Sequence, residues 1–210
     1  MGTKNARDVF LYIPNLIGYA RVILSCISFF YYENPLLFSS LYVTSFLLDA
    51  ADGHFARMFN QCSRFGAVLD MITDRFSTAI LCVILGHLWP QYSKPLMLMI
   101  VLDICSHWLS MYSGVLQGKS HKANHKNILM RLYYEERMVL GGVCLFNEFF
   151  YVALYLLHFF PYGSGIIGQY SYWTLLISSP VYLFKQVVNV LQLITSSQDI
   201  VNWELINENK

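Results

Sequence analysis

The chain has 210 residues, of which 56% are hydrophobic and only 13% charged, and its formal net charge is +1. Soluble domains carry about a quarter charged residues, so this composition excludes an ordinary water-soluble domain and predicts an all-α, polytopic membrane protein. Near-neutral charge also excludes a nucleic-acid binder that relies on a broad basic face.

In chain order, Met1 to Asp8 is polar, lacks the pattern of a signal peptide and is expected to be retained. Asp8 to Ile13 reads as a short N-terminal interfacial segment, and Pro14-Asn15 as a helix entry. Six runs then approach the roughly 20 residues needed to cross a bilayer. They are about Leu16 to Tyr32, Pro35 to Phe59, Arg64 to Leu88, Pro95 to Leu116, Arg137 to Phe160 and Tyr170 to Thr195. Pro35, Pro90, Pro95 and Pro161 punctuate the connections. Residues 1–197 are expected to form one membrane domain, and 198–210 a frayed polar tail. The cysteines Cys26, Cys62, Cys82, Cys105 and Cys144 are scattered singly, which predicts free, buried thiols.

Lys4, Arg7, Arg64, Lys119, Lys122, Lys126 and Arg131 flank alternate connections, whereas the others hold only Lys94. The positive-inside rule therefore puts both termini and the connection after the second span in the cytoplasm. The loop holding Lys119, His121, Lys122, His125 and Lys126 reads as ordinary topology signal and attraction to anionic membrane lipids.

The second and third spans are unusual because they contain carboxylates. Asp49 and Asp52 share one helix face, as do Asp70 and Asp74 on the next helix. A tight turn near Asn60 to Ser63 makes the two helices antiparallel neighbours and brings all four carboxylates to one depth beneath the cytoplasmic surface. Bare charges there are costly, at about 2.5–3.5 kcal/mol each even on the lenient insertion scale, and like charges repel. Cations resolve both problems. Hard oxygen donors suit Mg²⁺ or Mn²⁺, and two such ions about 4 Å apart would clamp a phosphoryl group. Gly53 and Gly66 allow close approach to the backbone, and Arg57 lies on the side of Gly53, where it reaches phosphate or a carboxylate. A divalent-cation transport site built on the same carboxylates is the rival reading.

Written as spacing, the stretch is D-x2-D-G-x2-A-R-x8-G-x3-D-x3-D, with fixed positions at Asp49, Asp52, Gly53, Ala56, Arg57, Gly66, Asp70 and Asp74. This pattern resembles the signature of the CDP-alcohol phosphatidyltransferase family. FLYIPNLIGYAR, LDICSHWL and RLYY extend the resemblance toward the branch that uses inositol as acceptor. Ser63 stands where that family often has Thr, and keeps the hydroxyl.

The resemblance implies six transmembrane helices, a two-metal site open to the cytoplasm, a homodimer and an endoplasmic-reticulum membrane address. It implies transfer of a phosphatidyl group from CDP-diacylglycerol to myo-inositol with loss of CMP. Asp49, Asp52, Asp70 and Asp74 would bind the metals, with Asp74 as general base. Gly53, Arg57, Ser63 and Gly66 would contact CDP-diacylglycerol. Asn15 and Arg21 are candidates to complete the nucleotide pocket, the alternatives being a helix cap and an arginine snorkelling to the interface. For inositol the candidates are Asp103, His107, Arg75 and Arg137; Asp103 and His107 could instead pair with each other or with a neighbouring helix.

Overall fold

The computed structural model describes residues 6–118 and 137–208. Every regular element among them is helical: α1 (Ala6–Phe10), α2 (Ile13–Phe30), α3 (Pro35–Met58), α4 (Arg64–Leu88), a 3₁₀ turn (Pro90–Tyr92), α5 (Ser93–Leu116), α6 (Arg137–Phe159) and α7 (Ile166–Glu208). Among the described residues, four stretches are long and apolar enough to cross a membrane: Ile13–Phe30, Pro90–Leu116, Met138–Phe159 and Ile166–Asn207. The helices α3 and α4 have comparable lengths, 24 and 25 residues, but carry the carboxylates. The expected loop from Lys119 to Lys126, together with Lys4, Arg131 and the RLYY run, lies outside the described residues.

The chain divides into two units, Met1–Ile84 and Leu85–Lys210, with the boundary inside α4. In the first, α2 is built inside out relative to a soluble helix. Its buried residues are Pro14, Asn15, Gly18, Arg21, Ser25 and Ser28, a small and polar stripe at three- and four-residue spacing. Leu16, Ile23, Ile27 and Phe30 face outward. Lipid rewards apolar exteriors, and small inward residues let backbones approach. Gly18 shows this: a Cβ there would lie 2.8 Å from Leu69 Cδ2 of α4. The three helices are stitched by hydroxyls, with Ser25 Oγ 2.9 Å from Ser45 Oγ of α3 and 3.1 Å from Ser77 Oγ of α4.

Local sequence fixes the helix ends. Asn34 Oδ1 accepts the Leu37 N–H at 3.2 Å ahead of Pro35, which occupies the first helical turn. At the other end of α3, Asn60 adopts φ 52°. The Gln61 N–H donates to Ala56 O at 2.9 Å and the Asn60 N–H to Arg57 O at 3.3 Å, the paired bonds of a Schellman stop. Ser63 Oγ then accepts the Gly66 N–H at 2.9 Å and caps α4.

In the second unit, α5 and α6 pack on α7. Val143 and Val188 form a buried apolar core with Val139, Leu140, Val181, Phe184 and Leu191, and Phe150 stacks on Tyr182 at 3.9 Å. Two expectations are corrected. The polar tail expected to fray after Ser196 is helical to Glu208: polarity ends a membrane span, not a helix, and no Gly or Pro follows Pro180 to stop it. Of the cysteines, none in a disulfide, only Cys82 is buried; Cys62 is exposed in the turn after α3, Cys26 and Cys105 are exposed on the outward apolar faces of their helices, and Cys144 is half-buried.

Candidate active site

The geometry of the site follows from equal distances to one turn. Asp52 stands six residues before Met58 and Asp70 six residues after Arg64, about 9 Å in each case at 1.5 Å per residue. The two carboxylate pairs therefore reach the same level. They meet around one side chain, Arg21 of α2. Its Nη1 lies 2.8 Å from Asp49 Oδ1, 2.7 Å from Asp52 Oδ2 and 2.8 Å from Asp70 Oδ1, and its Nη2 lies 2.5 Å from Asp74 Oδ1. Arg75 adds a longer contact, with Nη2 3.6 Å from Asp74 Oδ2. Among the described residues, four carboxylates gather on two guanidiniums, an excess of acidic groups that a bound cation would offset.

Asp49, Asp70 and Asp74 each offer an oxygen, and these three atoms lie within 4.8 Å of one another. All are hard donors, the set that suits Mg²⁺ or Mn²⁺ and not a softer metal.

Beside the carboxylates lies a cavity of about 180 Å³. Asp52 and Asp70 form part of its wall, with Gly53, Arg57, Ser63, Gly66 and Asn15 around them. Small residues make the room. A Cβ on Gly53 would come 3.5 Å from Arg57 Nη1, so Arg57 lies over that glycine. A Cβ on Gly66 would come 2.6 Å from Asn15 Oδ1, so the Asn15 side chain of α2 sits directly against the Gly66 backbone of α4. Asn15 Nδ2 donates to Val9 O at 2.6 Å, and Gln61 Oε1 accepts the Ile13 N–H at 2.9 Å. The turn after α3 thus caps the start of α2, and the contacts that end these helices form one side of the cavity.

The expected residues fall into three groups. The four aspartates converge, and Gly53, Arg57, Ser63, Gly66 and Asn15 line the adjoining cavity. Arg21, the other candidate for the nucleotide pocket, sits among the aspartates; only 3% of its side chain is exposed, which sets aside the snorkelling alternative. Asp103 and His107 pair on α5, with His107 Nδ1 2.8 Å from Asp103 O and 3.5 Å from Asp103 Oδ1. Arg137 begins α6, and its side chain lies outside the described residues. Sequence reasoning missed a polar seam in the second unit. Lys185 Nζ donates to Asn189 Oδ1 at 2.9 Å, and Asn189 Nδ2 donates to Asp103 Oδ1 at 3.3 Å. The signal was available, since a lysine inside an apolar span is functional or paired by default.

The sequence pattern of the CDP-alcohol phosphatidyltransferase family matches residues 11–197, nearly the whole chain, and the protein belongs to that family. Members depend on a divalent metal, and the aspartate cluster offers donors that fit one. Among its relatives, the CDP-diacylglycerol–inositol 3-phosphatidyltransferase of Saccharomyces cerevisiae is 50% identical over 90% of this chain and 85% of its own. The enzymes of that name from Candida albicans (44% identical, 92% of this chain and 83% of its own) and Homo sapiens (42%, 92% of each) are also similar. No solved structure matches the chain.

Proposed function

We propose that this protein synthesises phosphatidylinositol, transferring the phosphatidyl group from CDP-diacylglycerol to myo-inositol and releasing CMP. The observation that carries this reading is the convergence of Asp49, Asp52, Asp70 and Asp74 beside the cavity lined by Gly53 and Arg57. The names of the relatives identify the acceptor as inositol.

The four aspartates would hold two divalent ions, Mg²⁺ or Mn²⁺. Bound there, such ions would offset the charge of the diphosphate and polarise the phosphoryl oxygens. The chain's own groups do the rest. Gly53, Arg57, Ser63, Gly66, Asn15 and Arg21 hold CDP-diacylglycerol, the glycines by leaving room and the arginines by charge-assisted bonds to phosphate. An inositol hydroxyl is a poor nucleophile near neutral pH, so Asp74 takes its proton. A new O–P bond forms to the lipid-side phosphorus, and the bond to the CMP oxygen breaks with its electron pair leaving on CMP. Arg75, whose Nη2 is 3.6 Å from Asp74 Oδ2, is a proposed inositol contact together with Asp103, His107 and Arg137.

All six long helices, α2 to α7, cross the bilayer in this reading. Residues 1–197 are the catalytic domain and 198–210 its polar tail. The site and both termini face the cytoplasm at the endoplasmic reticulum, and the active form is a homodimer. One substrate has two acyl chains and the other is water-soluble, so a site just beneath the headgroups serves both.

The test is CMP release by the purified protein with CDP-diacylglycerol, Mg²⁺ or Mn²⁺ and myo-inositol, followed in parallel by lipid product. Asp74→Asn should lower turnover by at least about 100-fold. Lipid product from glycerol phosphate or serine in place of inositol would overturn the acceptor assignment.

A further inference from the structure

The position of Arg21 raises a question of competition. Its guanidinium sits within 2.8 Å of an oxygen on every one of the four aspartates. Three of those aspartates, Asp49, Asp70 and Asp74, are the cluster that fits a divalent ion. Magnesium takes its oxygens at about 2.0–2.1 Å and demands an orderly octahedral shell. Each carboxylate of that cluster already turns one oxygen toward Nη1 or Nη2, so the guanidinium and an ion would draw on the same three side chains.

The guanidinium is also poorly matched to its partners. Nη1 carries two N–H groups but has three carboxylate oxygens within 2.8 Å. Meanwhile Nε is buried with no acceptor among the described residues, in a side chain that is almost wholly enclosed. A bidentate arginine–carboxylate pair normally uses its planar fork in register; here one nitrogen is oversubscribed and another is idle. The grip is therefore mostly electrostatic, and a more highly charged cation can displace it.

We propose that Arg21 is a built-in counter-cation that competes with the divalent metal for one set of carboxylate oxygens, holding the four aspartates together and yielding oxygens as the ion binds. The proposal rests on the reading of the aspartate cluster as the metal site. Displaced from those oxygens, the guanidinium is free to pair with the diphosphate of the incoming lipid, so that metal loading and substrate binding favour each other. Arg21 then sets the metal affinity: the site binds its ion more weakly than four unopposed carboxylates would, and its shape does not depend on the ion.

The test uses the full-length protein in detergent, with Mn²⁺ binding followed by the electron paramagnetic resonance signal of the free ion. Thermal unfolding is measured with chelator and with Mn²⁺. Arg21→Gln removes the charge and keeps a polar amide. It should unfold at a lower temperature than wild type in chelator, show a larger rise in midpoint on adding Mn²⁺, and bind Mn²⁺ at least tenfold more tightly. Equal or weaker Mn²⁺ affinity in a folded Arg21→Gln protein overturns the proposal. If that variant does not fold even with Mn²⁺, Arg21→Lys decides. A single ammonium cannot span all four carboxylates, so this variant should bind Mn²⁺ several-fold more tightly than wild type, and unchanged affinity refutes the competition. A folded wild type that binds no Mn²⁺ removes the metal reading itself, and this proposal with it, an outcome distinct from wild type and variants binding alike.

Discussion

Gly66→Ala tests whether the cavity owes its shape to the close seating of the Asn15 side chain on the Gly66 backbone. An alanine Cβ would lie 2.6 Å from Asn15 Oδ1 and 3.0 Å from Ser63 Oγ. Ordinary contact begins near 3.4 Å, so Asn15 must retreat by about 0.8 Å. It has little freedom to do so, being 2% exposed and held through Nδ2 to Val9 O at 2.6 Å. Losing that bond costs about 1 kcal/mol, and overpacking a close-fitted site adds about 1–3 kcal/mol. The better helix propensity of alanine returns at most about 1 kcal/mol. The expected net destabilisation is about 1–3 kcal/mol, read as a fall of several degrees in the unfolding midpoint of the detergent-solubilised protein. Because Asn15 and Ser63 both line the cavity, KM for CDP-diacylglycerol should rise as well. Gly18→Ala is the control for stability: its clash is with Leu69 Cδ2, the free end of a flexible side chain, and its fall in midpoint should be smaller. A Gly66→Ala protein with unchanged midpoint and unchanged KM would refute the reasoning.

Gly53→Ala should keep the fold, since its Cβ makes only ordinary contact at 3.5 Å with Arg57 Nη1 and alanine favours the helix by about 1 kcal/mol. Its KM for CDP-diacylglycerol should nevertheless rise at least about tenfold, because a wall that the substrate approaches has gained a methyl group; substrate titration checks this. Ser63→Ala removes the α4 cap and should destabilise by about 1 kcal/mol, while Ser63→Thr stays within a few tenths, as thermal unfolding of the pair would read. At Asn60, with φ 52°, Asn60→Gly should be neutral or slightly stabilising. Asn60→Val should cost about 1–2 kcal/mol, and equal midpoints for these two variants would contradict the assigned helix stop.

The helix limits were legible wherever a residue carries a local signal. Pro35 after Asn34 starts α3, and Ser63 three residues before Gly66 starts α4 at the expected Arg64. The paired aspartates were legible too, because their three- and four-residue spacings are local and the turn between the helices is short. The end of α7 was misjudged for the converse reason. Residues after Ser196 lose the hydropathy of a span, yet carry no breaker, and propagation of an existing helix needs only that nothing stop it.

Arg21 was hard to place because everything it touches is distant in the chain. Its hydrogen-bonded partners lie 31, 49 and 53 residues away on two other helices, while its neighbours Ala20 and Val22 suggest only an arginine near a membrane surface. A different periodicity carried the information. Asn15, Gly18, Arg21, Ser25 and Ser28 recur at three- and four-residue spacing, and all are buried. Lys185, Asn189, Gln192 and Ser196 do the same on α7. In water the apolar stripe of a helix marks its buried face. In lipid the apolar side has no reason to turn inward, so the small and polar stripe marks it instead. Read that way, α2 presents its one arginine to the interior of the first unit before any partner is known. Since α3 and α4 supply the interior carboxylates of that unit, pairing among them follows from the membrane setting, with no distant contact needed as evidence.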